Sequence, residues 1–167
     1  MERAMKERGL TRLLEEIKNL VLLRRFRARN RMKEFLQRLE EGVTDDILKV
    51  LLELMSLVFL IDRDFRRNIE GFKATYVFKD YAGLAYTLVR FKNNKMYVKR
   101  QKEDNPTFTL RYKDGHSLFK LLLSDSPNVL KAMLDQEVDF QGNINYINKF
   151  AYMAIHLKLK ALGQLPE

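Results

Sequence analysis

Residues 105–142 read NPTFTLRYKDGHSLFKLLLSDSPNVLKAMLDQEVDFQG, and this stretch decides the fold class. Apolar residues alternate over 108–112, which predicts a strand because strand side chains point to opposite faces with a period of two. Asp-Gly at 114–115 ends this strand, and the period then becomes helical through two short apolar segments. Alternation returns briefly over 138–142 and ends at a glycine. A strand, two helices and a strand in this order indicate an α+β domain.

Three more strands are predicted upstream of that stretch. Apolar and polar residues alternate over 72–79, 84–92 and 96–102, and short turns separate these segments. The turn at 93–94 is Asn-Asn, and asparagine tolerates the positive φ that a tight hairpin needs. Three short connections in a row predict an antiparallel meander. Together the segments predict a five-stranded, mainly antiparallel sheet with helices packed on one face.

Helical periodicity marks both ends of the chain. One helical region is predicted for residues 3–40, and an almost wholly apolar helix for about 45–63, which is typical of a helix buried between other elements. Ser126 is predicted to cap a further helix with Pro127 at its first position, and Asn143 to cap the last helix. The last helix has two apolar lines, which predict either a position wedged between the sheet and the N-terminal helices or an exposed lid.

The whole chain has a net charge of +9, and positive charge is concentrated in its N-terminal helical region. Six cations fall within ten residues, namely Arg24, Arg25, Arg27, Arg29, Arg31 and Lys33. Such a run favours docking on an anionic membrane surface or on an acidic protein partner. Only Phe26 is interleaved with the cations, which disfavours a base-stacking platform for nucleic acid. The alternative interpretation is a solvated helix face that pairs with Glu34, Glu40 and Glu41.

Few residues in this sequence could carry out chemistry. The absence of cysteine excludes disulfides, thiolate metal sites and a cysteine nucleophile. His116 lies beside Ser117 without a third orienting residue, and it is too far from His156 to suggest a pair of metal ligands. Asp62 and Asp64 are better explained as a charge cluster at a helix end. We therefore expect no catalytic residue, no metal and no cofactor, and we do not expect an enzyme.

The chain of 167 residues has the length of one domain of ordinary size, or of one domain with an extension. Neither a secretory signal nor a membrane-spanning segment is predicted, because the apolar runs are too short or interrupted by charge. The expected location is the cytoplasm, or the periphery of a membrane if the basic run docks there.

The second part of the chain, from about Gly71 to Gly163, resembles the sterol carrier protein type-two family. The resemblance rests on NPTFTL at 105–110, SLFKLLL at 117–123 and VDFQGN at 138–143, followed by a terminal helix. It implies a five-stranded sheet with helices over one face, and between them an apolar tunnel for a fatty acyl chain, sterol or isoprenoid. It implies no reaction. The expected organisation is a basic N-terminal helical extension, 1–62, and a lipid-binding domain, 63–167.

Apolar residues of the strands and of the elements opposite them are the candidate tunnel wall. On the strands they are Tyr76, Phe78, Tyr86, Leu88, Met96, Val98, Phe108 and Leu110. Opposite them are Leu122, Leu130, Met133, Phe140, Ile147, Phe150 and Met153. The same residue types also build an ordinary packed core, whereas a lipid site leaves a cavity of roughly 300–1,000 Å³.

Three functions remain open at this point. The first is a non-catalytic carrier for a lipid or fatty acid. The second is a structural or protein-interaction module with a filled core, which docks or forms a homodimer through its basic N-terminal helices. The third is nonspecific binding of nucleic acid, which depends on charge alone.

Overall fold

A computed structural model describes residues 22–39, 46–124 and 126–164. Its helices are α1 (residues 22–39), α2 (Ile47–Ile61), α3 (Arg63–Arg66), α4 (Gly115–Leu123), α5 (Val129–Leu134) and α6 (Ile144–Ala161), with a 3₁₀ turn at Arg67–Ile69. Its strands are β1 (Ala74–Asp80), β2 (Tyr86–Lys92), β3 (Lys95–Lys99), β4 (Phe108–Tyr112) and β5 (Val138–Gly142). The α+β class and the five strands are confirmed. Of the helix predicted for 3–40, residues 3–21 and 40 lie outside the described residues, as do Glu40 and Glu41.

The sheet is mixed and its strand order is β3-β2-β1-β4-β5. Three of its pairings are antiparallel, but β4 runs parallel to β1, with Phe108 opposite Tyr76. The predicted meander is therefore confirmed for β1, β2 and β3 and wrong for β4, while the sheet is mainly antiparallel as predicted. The third strand was predicted to reach residue 102, whereas β3 ends at Lys99. The connection to β4 is accordingly residues 100–107, which is long enough to cross the sheet instead of turning back as a hairpin.

The crossing segment, residues 100–107, lies over the face of the sheet opposite the helices. Leu88 is paired with Val77 on this outer face, and Tyr86 and Arg90 share it because alternate residues of a strand point the same way. The backbone N–H of Glu103 donates to the Tyr86 hydroxyl at 3.0 Å, and the Glu103 carboxylate pairs with Arg90. The crossing segment therefore covers the outer face of the sheet, where Leu88 is almost fully buried.

The prediction that Tyr86 and Leu88 face the helices is wrong, and the hairpin register gives the reason. The two-residue turn at 93–94 pairs Phe91 with Met96. Met96 lies in the core with the helices, so Phe91 and Val89 do as well. Leu88 is one residue out of phase, and a shift of one residue moves a side chain to the other face.

The inner face of the sheet and the helices share one continuous hydrophobic core. Nine residues of α2 are buried, although α2 belongs by sequence to the expected extension 1–62. The core thus continues across residue 62, and the division of the chain there stays a prediction. Helix α6 packs on β1 through the Phe150 ring, and it contacts both α4 and α2. These contacts agree with the wedged position, although the helix that α6 contacts most is α4.

Side-chain caps fix where the later helices begin. The Asn143 side chain accepts a hydrogen bond from the Asn145 N–H at 2.9 Å, which confirms the predicted cap of α6. The cap predicted at Ser126 is wrong, because the Asn128 side chain accepts from the Lys131 N–H at 2.8 Å and α5 begins after it. A proline restrains the residue before it to extended backbone, so Ser-Pro fits a turn as well as a helix start.

Candidate functional site

The space expected to form a tunnel is occupied by aromatic side chains. The Phe150 ring of α6 lies with its centroid 4.9 Å from that of Phe78 and 5.4 Å from that of Tyr76. The Tyr76 hydroxyl donates to the backbone carbonyl of Tyr146 at 3.0 Å, and burial raises the pKa of this hydroxyl, which keeps it neutral. Phe108 stacks against Phe140 at the next pair of strands. These rings fill the gap between the sheet and α6 with contacts of the kind found in packed cores.

Most of the predicted wall residues do come together. Those fully buried in the core are Tyr76, Phe78, Phe108, Leu110, Leu122, Ile147, Phe150 and Met153, with Met96, Met133 and Phe140 at its margin. Four residues do not join them: Tyr86 and Leu88 lie on the outer face, Val98 is 42% exposed at the sheet edge, and Leu130 is 66% exposed. Leu130 was expected to face the core and does not, because the short helix α5 buries only Ala132.

A large apolar groove lies elsewhere, between α1 and α2. Its volume is about 1360 Å³. Its apolar lining comes from two helices: Leu22, Leu23, Phe26, Ala28, Met32 and Leu36 of α1, and Val58 and Ile61 of α2. No residue pattern considered above predicted this groove. The signal that could have found it is the apolar stripe of α1, which runs through the basic segment rather than ending before it.

Cations line the rim of this groove. Arg25, Arg29 and Lys33 lie on one side of α1 because they are four residues apart. Arg63 and Lys160 approach the groove from α3 and α6, so that five cations face only two acids. Among the residues that the structure describes, Arg25, Arg29, Lys33 and Arg63 have no acidic partner within ion-pair distance.

The two acids at the groove are already engaged. The Asp62 carboxylate lies 2.6 Å from the Lys160 ammonium and accepts the Phe65 N–H at 2.8 Å. Burial acts to raise the pKa of Asp62, but the bonds from Lys160 and from the Phe65 N–H lower it by more. Asp64 pairs with Arg67 at 3.2 Å. The groove therefore presents uncompensated positive charge.

The six cations of the basic run have two different roles in the structure. Arg31 pairs with Glu34 at 2.6 Å and with Glu53 at 2.9 Å, which ties α1 to α2. The hydrogen bond that Arg31 donates to Glu34, followed by the charge of Glu53, raises the pKa of Arg31. The other five side chains are exposed. The interpretation as a paired helix face thus fits Arg31, and the interpretation as a docking surface stays open for the rest.

The candidate catalytic residues have structural partners instead. The Ser117 hydroxyl donates to Asp114 at 2.8 Å, at the cap of α4, while His116 is exposed. His156 Nδ1 lies 3.0 Å from the Asn68 side-chain nitrogen, and burial, together with the nearby charge of Lys160, lowers the pKa of this histidine. Across residues 22–39, 46–124 and 126–164, no three His, Asp or Glu side chains are placed to hold a metal ion. No helix in these ranges is long and apolar enough to span a bilayer.

Comparison with known proteins gives matches among solved structures only. No protein-family model matches the chain, and no curated protein matches it in sequence. The stereoselective inverting sec-alkylsulfatase Pisa1 from Pseudomonas sp. is similar, with a TM-score of 0.51 and 10% identity. That similarity covers 62% of this chain and 16% of the sulfatase, so it concerns a small part of that enzyme.

Sterol carrier domains are also among the similar structures. The ubiquinone synthesis protein UbiJ-SCP2 has a TM-score of 0.49 and 16% identity, covering 71% of this chain and 98% of that one. Sterol carrier protein domain 2 of Helicoverpa armigera has a TM-score of 0.47 and 20% identity, covering 73% of this chain and 91% of that one. Likenesses at such low identity concern the fold alone. The chain itself has the architecture that the sequence resemblance implied, a five-stranded sheet with helices packed on one face.

Proposed function

We propose that this protein is a non-catalytic lipid-binding protein. Its ligand is a single-chain anionic lipid, such as a fatty acid, whose chain lies in the groove between α1 and α2. The observation that carries the proposal is the combination of an apolar floor with a cationic rim in one groove. An apolar wall alone would suit any hydrophobic partner, whereas the uncompensated cations favour a ligand with a negative head.

Both parts of the groove contribute to the expected affinity. Each buried methylene of an acyl chain contributes about 0.8 kcal/mol before the cost of ordering. A carboxylate head at the rim would lie near Arg25, Arg29 and Lys33, and charge-assisted hydrogen bonds are stronger than neutral ones. The volume of about 1360 Å³ exceeds the roughly 300–1,000 Å³ of ordinary small-molecule pockets, so a whole chain has room.

A second candidate function is a structural or interaction module with a filled core. The packed rings of Tyr76, Phe78 and Phe150 favour it, because a chain between sheet and helices would have to displace them. The tunnel between sheet and helices, with its predicted wall residues, therefore stays a hypothesis that ranks after the groove. Native mass spectrometry of protein purified from cells separates the two functions, since only a lipid-binding protein retains a lipid of defined mass.

Replacing Ile61 by glutamate is expected to weaken fatty-acid binding at least tenfold. Ile61 lines the groove, and a carboxylate there would be desolvated by the acyl chain and would repel its head. The measurement is a fluorescence titration with a dansyl-labelled fatty acid. The control is Leu60→Glu, because Leu60 is the neighbouring residue on α2, is exposed and does not line the groove. Equal binding by the two variants would move the site away from the groove, and no binding by the parent protein would reject the function.

The basic surface of α1 is proposed to dock on anionic membranes, where the lipid ligand would be collected. Leu22, Leu23 and Phe26 are between 59% and 62% exposed, and cations surround them on the same helix. An exposed apolar stripe flanked by cations is typical of helices that lie in a membrane interface. Each cation near an anionic surface contributes about 1 kcal/mol.

Changing four α1 arginines to glutamate is expected to abolish flotation with phosphatidylserine vesicles at physiological salt. The residues are Arg24, Arg25, Arg27 and Arg29. A matched control makes the same change of charge around the opposite, β5 edge of the sheet, at the exposed residues Arg111, Lys113, Lys120 and Lys131. Retained flotation by the α1 variant would reject the docking surface, and an equal loss in the control would show an effect of net charge only.

A further inference from the structure

The β3 strand forms an edge of the sheet, and no strand in the described parts of the chain pairs with its outer side. Both residues of the turn at 93–94 have positive φ, as in a type I′ turn, where the Lys95 N–H donates to the Lys92 carbonyl. Backbone groups then alternate in direction along an antiparallel strand. The N–H and C=O groups of Met96 and Val98 therefore point away from β2, and no backbone group of the described residues pairs with them.

The outer face of this edge is strongly basic. Lys95, Tyr97 and Lys99 follow one another along it and are exposed, and Lys92 lies directly opposite Lys95. Like charges placed opposite each other destabilise a sheet. Within the described residues, none of these cations has an acidic partner. The positive charge of this row is therefore not paired with any acidic side chain in the part of the chain that the structure describes.

The inner face of the same edge is apolar and lies beside a groove. Val98 is 42% exposed and lines a groove of about 880 Å³ together with Leu23 and Phe26 of α1 and Leu57 of α2. Met96 lies next to it in the core. The other residues that line this groove are polar or charged, namely Arg27, Asn30, Arg31, Glu34, Glu53 and Ser56. A strand added at this edge would therefore place the side chains of one face against the lysines and the side chains of its other face beside Val98.

We propose that the open edge of β3 binds an extended acidic peptide segment of another protein as a sixth strand. The partner alternates acidic residues, which face the cations of the outer row, with apolar residues, which enter the groove beside Val98. Its backbone pairs with the free groups of Met96 and Val98. Strand addition of this kind takes affinity from main-chain hydrogen bonds and specificity from alternate side chains.

A second copy of this chain does not fit the same edge. Pairing β3 with β3 of another copy would place one outer row against the other and bring lysines face to face. Lysines on an edge strand guard against such pairing. The charges that repel a copy attract an acidic strand, so one feature rejects the wrong partner and selects the right one.

The experiment uses the full chain and a fluorescein-labelled peptide of ten residues in which glutamate and valine alternate. Val98→Pro removes an outward N–H, and proline is tolerated on an edge strand where that N–H faces away from the sheet. Val98→Ala shortens the side chain but keeps the N–H. In fluorescence anisotropy the peptide is expected to bind the parent protein and Val98→Ala within a few-fold, and Val98→Pro at least tenfold more weakly.

A second test does not depend on a variant. The same peptide can be methylated at every second backbone nitrogen, namely those whose N–H groups would point toward β3. This peptide keeps its charge but loses the hydrogen-bond donors that pair with β3, so it is expected not to bind. Binding of this peptide, or equal binding by Val98→Pro, would overturn the proposal in favour of charge attraction alone. Equal binding of a peptide that alternates lysine and valine would overturn the acidic preference. If the parent protein dimerises and Val98→Pro abolishes the dimer, the edge binds a second copy of this chain and the proposal is overturned.

Discussion

Replacing Phe150 by alanine is expected to lower the free energy of unfolding by about 3–5 kcal/mol, the largest single effect expected in the core. Phe150 is completely buried in α6, and its ring touches those of Tyr76 and Phe78 on β1. Its removal costs the transfer of a large apolar group and leaves a cavity that the rigid strand cannot close. Urea denaturation followed by circular dichroism measures the change.

Tyr152→Ala is the matched control for this variant. Tyr152 lies two residues away on the same helix and is 57% exposed, so its loss is expected to change stability by no more than about 0.5 kcal/mol. A cost below about 1 kcal/mol for Phe150→Ala would contradict the packed core and favour a tunnel.

The Phe150→Ala variant also separates the two places proposed for a lipid. If the chain binds between α1 and α2, fatty-acid affinity is expected to stay within a few-fold of the parent, because Phe150 does not line that groove. If the chain binds between sheet and helices, the enlarged space changes affinity, and added fatty acid restores stability by occupying it. Titration and denaturation of one variant therefore distinguish the sites.

Local patterns predicted the elements of this fold better than their arrangement. Alternation over 108–112 and 138–142 located β4 and β5, because each strand has one buried face and turn residues at its end. The position of β4 beside β1 depends on how the segment 100–107 crosses the sheet, and no short-range period encodes such a crossing. The outer position of Leu88 was in principle predictable, since the turn at 93–94 already fixes the register.

The candidate site was harder to predict than the fold. The tunnel residues were chosen for apolar character, and character alone does not distinguish a filled core from a lined cavity. The groove is built from residues such as Phe26 on α1 and Ile61 on α2, which are far apart in sequence and meet only in the folded chain. The ion pair between Arg31 and Glu53 could not be predicted for the same reason, because Glu53 is on another helix.

Replacing Gly142 by alanine is expected to cost about 2–4 kcal/mol of stability, the second large effect. Gly142 ends β5 with a φ of +120°, a conformation that residues with a side chain rarely adopt. A Cβ atom placed there would lie 2.8 Å from the backbone carbonyl oxygen of Thr107 and 3.1 Å from the Phe108 ring. The contact with backbone cannot be relieved by rotating a side chain. Thermal and urea unfolding of the variant measure the cost.

Gly71→Ala is the matched control for this variant. Gly71 also has a positive φ, +67°, but a Cβ there would meet nothing within 4 Å, so about 1 kcal/mol is expected from left-handed backbone strain alone. The excess at Gly142 combines the greater strain of its φ of +120° with the contact with Thr107. The Thr107 hydroxyl accepts the Thr75 N–H at 3.0 Å and so ties the end of the crossing segment to β1. Equal costs at the two glycines would contradict this close approach of β5 to the crossing segment, whereas an excess of about 1 kcal/mol or more would show that backbone and contact together require glycine at the end of β5.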